Sequence, residues 1–234
     1  MTSSVSALST LTAEGSRLQA VLLDMDGTLV DTENTWWDAE VEVFAGLGHT
    51  LRDEWRHIVV GGPMSRSAGF LIEATGARIT IEETAGLLNA AFLDRLAAGV
   101  RLMPGARRLL TELTAHGVPA ALVSASHRAV VDRTLETLGA EHFAFSVAGD
   151  EVEHTKPHPE PYLTAAARLG ADPARCAVLE DTATGVAAAE AAGCRVVAVP
   201  SLAPIGPGDG RTVVESLHDV DLGFLRTLVG TPAR

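Results

Sequence analysis

The sequence predicts an α/β protein: a doubly wound, Rossmann-like parallel-sheet core with an all-helical segment inserted into it. Three observations predict this. Short apolar runs that break into turn chemistry alternate with amphipathic stretches at helical spacing, the pattern of parallel strands joined by helical crossovers. The runs are apolar at successive positions, as expected of strands covered on both faces. One stretch, residues 33–100, is helical in pattern throughout and longer than a sheet crossover requires.

Each element has its own signal. The first strand covers residues 20–24, where Ala20, Val21, Leu22 and Leu23 run toward the turn residues Gly27 and Thr28. In the inserted segment Trp36, Val41, Val43, Phe44 and Leu47 predict one helix, Phe70, Leu71 and Ile72 a later one, and Leu87, Leu88, Phe92, Leu93 and Leu96 the last. Val30–Glu33 and Gly99–Pro104 are read as its hinges. Pro104 opens a helix, striped by Leu109, Leu110 and Leu113, that stops near Gly117. A strand over 119–124 precedes a helix from about His127 to Leu138, stopped by Gly139. Strands over 144–148, 176–180 and 195–199 follow, separated by helices over Pro161–Leu169 and Gly185–Ala192, each ended by glycine. After Pro200, the residues Pro204, Gly206, Pro207, Gly208 and Gly210 predict a loop before a short closing segment around Val213–Leu228. The expected organisation is a flexible lead-in (1–18), an α/β core (19–32 and 101–234) and a helical cap (33–100).

Composition narrows the class of function. The chain has 234 residues, 47% of them hydrophobic, enough for a core of this size. No apolar stretch reaches bilayer-spanning length, and residues 1–18 lack the basic start and apolar block of a signal peptide, so a cytoplasmic, monomeric protein with no membrane partner is expected. Cys176 and Cys194 each stand beside an apolar run and are expected to be free buried thiols. A net charge of −12 argues against a nucleic-acid partner, because phosphate backbones demand a basic face. A phosphorylated substrate must then be attracted locally.

The most telling residues are Asp24 and Asp26, where the first apolar run ends. Residues i and i+2 of an extended segment point the same way, so two like charges converge on a small volume at the carboxyl end of a strand. Either one carboxyl keeps its proton or a hard, oxygen-seeking cation such as Mg2+ lies between them. A solvated Asp-Gly turn is the alternative for this fragment alone. Three further fragments bear on the choice: Ser124 closing the run Ala120–Val123, Lys156 before Pro157, and Glu180-Asp181 closing Ala177–Leu179.

In this order, the four fragments resemble the motifs of the haloacid dehalogenase superfamily: Asp-x-Asp-Gly-Thr (Asp24 to Thr28), a strand-terminal serine (Ser124), a lysine before proline (Lys156) and an acidic pair (Glu180-Asp181). The match spans about residues 20–200. The resemblance implies that Asp24 is a nucleophile that becomes an aspartyl phosphate, and that Asp26 is the acid and then the base. It implies Mg2+ held by Asp24, by the Asp26 carbonyl and by Asp181, with Glu180 acting through a water or directly, the former preferred. Ser124 and Lys156 would bind phosphoryl oxygens, and the segment 33–100 would be a cap that selects the substrate.

Residues outside those motifs invite other readings. His154 and His158 have the i, i+4 spacing of a helical metal pair, but Pro157 and Pro159 oppose a helix, and a loop is expected. Trp36 and Trp37 could stack on a sugar, although cap core is the commoner use. Arg66, after Gly61-Gly62-Pro63, is expected at a helix start where it could reach a substrate phosphate, as an arginine does in the mutase branch. Mutases resembling β-phosphoglucomutase carry a cap histidine near the position of Trp36 and a lysine where this chain has His127. Both are absent, and Asp31-Thr32-Glu33 is similar to hydrolytic members. The expected activity is therefore a Mg2+-dependent phosphatase of a small phosphorylated metabolite, a sugar phosphate first, with a β-phosphoglucomutase-like mutase as the alternative.

Overall fold

The computed structural model describes residues 18–59 and 64–230. The expected lead-in lies outside them save for Leu18, as does the Gly61-Gly62-Pro63 turn.

Six parallel strands form one sheet: β1 (Ala20–Leu23), β2 (Ala120–Val123), β3 (Phe145–Val147), β4 (Cys176–Glu180), β5 (Arg195–Ala198) and β6 (Arg211–Val213). Their spatial order is β3-β2-β1-β4-β5-β6. The chain builds outward from β1 to one edge and then from β4 to the other, so a crevice opens at the carboxyl ends where the order reverses. Register fixes what lines it. Leu23 pairs with Leu122 on one side and Leu179 on the other, so Asp24 emerges beside Ser124, Glu180 and Asp181.

Alternation along the strands divides the core. Val21 and Leu23 of β1 face one side with Leu122, Leu179 and Val197, whereas Ala20 and Leu22 face the other with Val123, Val178 and Val196. Helices cover both faces: α5 (Ala106–Ala115), α6 (Arg128–Leu138), α7 (Glu160–Leu169), α8 (Ala183–Ala191) and α9 (Leu222–Gly230). Leu109, Leu110, Leu113 and Leu225 join the first side, and Tyr162, Ala165, Val186 and Ala189 the second. Cys176 and Cys194 belong to the second side, buried and unbridged.

The stretch between β1 and α5 contains α1 (Thr32–Gly46), the short α2 (Arg56–Val59), α3 (Met64–Thr75) and α4 (Ile81–Ala97). A capping box starts α4: the Thr80 hydroxyl accepts the Glu83 N–H at 3.1 Å, and the Glu83 carboxylate accepts the Thr80 N–H at 2.8 Å. α4 packs on α1 and α3 and leans on α6. Phe44, Leu71, Leu88 and Phe92 fill the space between, with Trp36 stacked on Phe92 at 3.8 Å. Where this insertion leaves and rejoins the sheet, Val30 and Leu102 pair in antiparallel fashion. Asp31 N–H donates to Arg101 O at 2.8 Å and Met103 N–H to Leu29 O at 2.9 Å.

The closing segment differs from its expected form. It divides into an edge strand, β6, and α9.

Candidate active site

Three strand ends and one loop deliver the polar groups. The Asp24 N–H donates to Leu179 O at 3.1 Å, which fixes the residue against β4 as it leaves β1. The chain then turns tightly: Leu29 and Val30 N–H both donate to Met25 O, and Gly27 N–H donates to Val30 O. Gly27 has φ +78°, and a Cβ there would lie 2.1 Å from Asp181 Oδ2. Glycine is required on both counts, because the turn passes directly over Asp181.

Lys156 comes from the loop between β3 and α7. Its Nζ donates to Asp24 Oδ1 at 2.6 Å, Glu180 Oε1 at 2.7 Å and Val123 O at 2.9 Å, so all three of its protons are placed. The side chain is only 4% exposed. Burial works against this ammonium; Asp24 and Glu180 beside it outweigh burial and hold its pKa above the ordinary lysine value.

Glu180 is saturated. Oε1 also accepts the Tyr162 hydroxyl at 2.7 Å, and Oε2 accepts the Asp181 N–H, the Thr182 N–H and the Thr182 hydroxyl. Asp181 accepts hydroxyls from Ser201 at 2.5 Å and Thr28 at 3.3 Å. Asp26, half-buried, accepts hydroxyls from Ser124 at 2.9 Å and Ser126 at 2.8 Å on the same Oδ2.

Asp24 Oδ2 is different: it is buried and has no hydrogen-bond partner. Burial and then the Glu180 charge push the Asp24 pKa well up, against the pull of Lys156. Burial, with Glu180 adding to it, raises Asp181 to about 6 despite its hydroxyl partners. One ammonium faces three carboxylates, Asp24, Glu180 and Asp181, whose ligand atoms lie within 4.8 Å of one another. An excess of converging oxygen donors with one oxygen left over suits a hard divalent cation, so the residues present fit Mg2+.

The insertion contributes a second polar group above this edge. Asp31 caps α1 by accepting the Asn34 N–H at 3.1 Å. Glu33, in the first turn, is raised to about 7 by burial and then by Asp181 and Asp31, so this turn feels the carboxyl edge. Arg56 donates to Asn34 Oδ1 and lies 5.1 Å over the Trp37 ring. Glu40 is buried with Oε2 unpartnered; burial lifts it to about 7, while Ser67, Arg56 and Arg66 pull the other way.

Of the residues singled out in the sequence, Asp24, Asp26, Ser124, Lys156, Glu180 and Asp181 converge at this edge. Arg66 stands exposed near the start of α3, where its charge reaches Glu40. Trp36 is held against Phe92, and Trp37 is the tryptophan facing Arg56. Sequence reasoning gave no site role to Ser126, although the stretch Ser124-Ala125-Ser126 is shared with the mutase branch, nor to Tyr162 or Ser201. Ser126 stands two residues past Ser124 and Ser201 lies just beyond β5, so a search of all strand ends would have found both. Tyr162, the only tyrosine, left no signal beyond its rarity.

Comparison with known proteins shows the family. The family model of haloacid dehalogenase-like hydrolases matches residues 18–193. The chain is 36% identical over 187 residues to the bifunctional riboflavin kinase/FMN phosphatase of Arabidopsis thaliana, covering 78% of this chain and 48% of that protein; it thus spans about half of that relative's length. It is 30% identical over 218 residues to hexitol phosphatase B of Escherichia coli (strain K12), covering 91% and 95% of the two chains. The solved structure of CbbY from Rhodobacter sphaeroides in complex with xylulose-(1,5)bisphosphate is similar with a TM-score of 0.71 and 27% identity, over 89% of this chain and 99% of that one.

Proposed function

The chain belongs to the haloacid dehalogenase-like hydrolases, and on that premise we propose that it is a phosphoric monoester hydrolase. In this reading it is a Mg2+-dependent phosphatase that cleaves a small phosphorylated metabolite, a sugar phosphate first, through an aspartyl phosphate. The phosphatases among its relatives and the sugar bisphosphate held by CbbY support the substrate class. One observation carries the chemistry: at the carboxyl edge of the sheet, Asp24 Oδ2 is buried beside Lys156 and has no hydrogen-bond partner.

The roles follow from what each group touches. Lys156 holds Asp24 by Oδ1 and so fixes the carboxylate plane for attack on phosphorus. As the Asp24–phosphorus bond forms and the bond to the leaving oxygen breaks, Asp26 gives its proton to that oxygen. It then takes a proton from the water that releases inorganic phosphate and restores Asp24. Ser124 and Ser126 aim Asp26 in the resting site, and Ser124 with Lys156 would turn to the non-bridging oxygens of the phosphoryl group. Asp24, the Asp26 carbonyl and Asp181 would hold Mg2+, which supplies the positive charge that keeps both carboxylates ionised and offsets the phosphate. Glu180, already saturated, orients Lys156 and does not need to touch the ion. Residues 33–100 would be the cap over a core of 19–32 and 101–234, with the paired hinges at Val30 and Leu102 and with Arg56, Trp37 and Arg66 near the substrate's distal end.

The test is release of inorganic phosphate from a panel of sugar phosphates, nucleotides and p-nitrophenyl phosphate, with Mg2+ and with chelator. Release that needs both the metal and Asp24 is expected. Interconversion of hexose 1- and 6-phosphates without release would replace the phosphatase by a mutase.

A further inference from the structure

The loop Glu153–Pro159 carries Lys156 inward, and its outer side gathers three groups that the chemistry above leaves unused. His154 and His158 come together without a helix: their ring centroids are 4.6 Å apart and their planes are tilted by 34°. Glu160, the first residue of α7, places Oε2 3.0 Å from His154 Nδ1 and 3.9 Å from His158 Nδ1. One ligand atom from each of the three lies within 4.8 Å of the others. The loop lines an open depression of about 620 Å³, so the group is reachable from solvent.

This geometry is close to what a tetrahedral ion requires. Donors about 2.0–2.1 Å from zinc stand about 3.3 Å apart, so the His154–Glu160 spacing already fits, while His158 Nδ1, which accepts the Glu160 N–H at 3.3 Å, would exchange that bond for the ion. The carboxylate is also pre-aimed. It accepts the Glu153 N–H at 2.9 Å and the His154 N–H at 3.0 Å, and these bonds with His154 hold its pKa below the ordinary glutamate value. Two imidazoles and one carboxylate with an open fourth position are the donors of a borderline cation, whereas the catalytic edge offers only oxygen. We propose that His154, His158 and Glu160 form a second, surface metal site of the zinc class, separate from the catalytic centre. A bound ion would replace the His154–Glu160 hydrogen bond and clamp the loop on either side of Lys156.

Zinc titration of the full chain by calorimetry, in excess Mg2+, tests this. One zinc per chain is expected in the unsubstituted protein and equally in Asp24→Asn. Binding should weaken at least about tenfold in His154→Ala, His158→Ala and Glu160→Gln. Cobalt should give the visible absorption of a tetrahedral site in the unsubstituted protein and lose it in either histidine variant. Unchanged Mg2+-dependent phosphate release by those variants would show that they fold. Absence of zinc uptake overturns the proposal, and so does zinc binding that survives both histidine substitutions but disappears in Asp24→Asn.

Discussion

The carboxyl edge of the sheet and the helical insertion each bury one carboxylate with an unpartnered oxygen, Asp24 in the first and Glu40 in the second. Their surroundings are unlike. Asp24 has an ammonium at 2.6 Å on its other oxygen and three more acidic groups around it. Glu40 lies beside Ser67, whose hydroxyl donates to Val59 O at 2.7 Å, and feels Arg56 and Arg66 through space. At the edge, burial and the neighbouring carboxylates oppose ionisation of Asp24 and the Lys156 ion pair offsets them only in part, which leaves room for the charge of a divalent cation. In the insertion, burial outweighs the pull of Ser67 and the arginines and favours the protonated Glu40 carboxyl.

Substitutions in the two regions test this contrast. Asp24→Asn should lower kcat by about 10³-fold or more while far-UV circular dichroism stays unchanged. Equal loss on Glu40→Gln would erase the distinction. Lys156→Met should remove activity and also cost about 3–5 kcal/mol of stability in chelator, because Asp24 and Glu180 lose the cation that compensates them. Urea titration reads this, and a fully stable variant would mean that the ammonium is not structurally required. Arg56→Ala should shift the ranking of kcat/KM among substrates by about tenfold and leave p-nitrophenyl phosphate turnover within about twofold, in keeping with a sorting role. A uniform loss across the panel would place Arg56 in the chemistry.

The smallest effect concerns pH. Glu40 has a folded-state pKa of about 7 against a reference value of 4.5. Between those values the folded chain holds a proton that the unfolded chain has released. Folding therefore takes up protons, and this contribution to stability is lost as pH rises through the window. Glu33, also at about 7, acts with the same sign. Glu40→Gln should raise Tm at pH 7.5 by about 2–6 °C and flatten its fall from pH 5. An unchanged slope would show that Glu40 is already relieved by the two arginines.

How much of this could be read in advance depends on whether a residue's role lies in its own strand or in another's. β1, β2, β4 and β5 were legible because their residues are covered on both faces and the runs stop at turn chemistry. β6 was not. It is an edge strand of three residues, half-exposed, in a tail of prolines and glycines where no apolar run can form. At the site, each motif residue stands at or just past the end of its own strand or before its own proline, so the four fragments could be matched in order to the motifs of a known family. Tyr162 matters through Glu180, a contact made from the helix layer that leaves no local mark, whereas Ser201, which reaches Asp181, carries only the faint mark of a hydroxyl just past a strand end. The pair His154 and His158 shows the converse: prolines excluded the helix, yet the loop returns the rings to each other.

The two buried thiols give the core a clock of its own. Cys176 begins β4 and Cys194 precedes β5, both beneath the helix layer on the face opposite the insertion's packing, and burial pushes each up to about 12. At neutral pH neither is a thiolate and neither can be reached, so alkylation waits for that layer to lift from the sheet. Its rate would report how often that layer opens against the sheet.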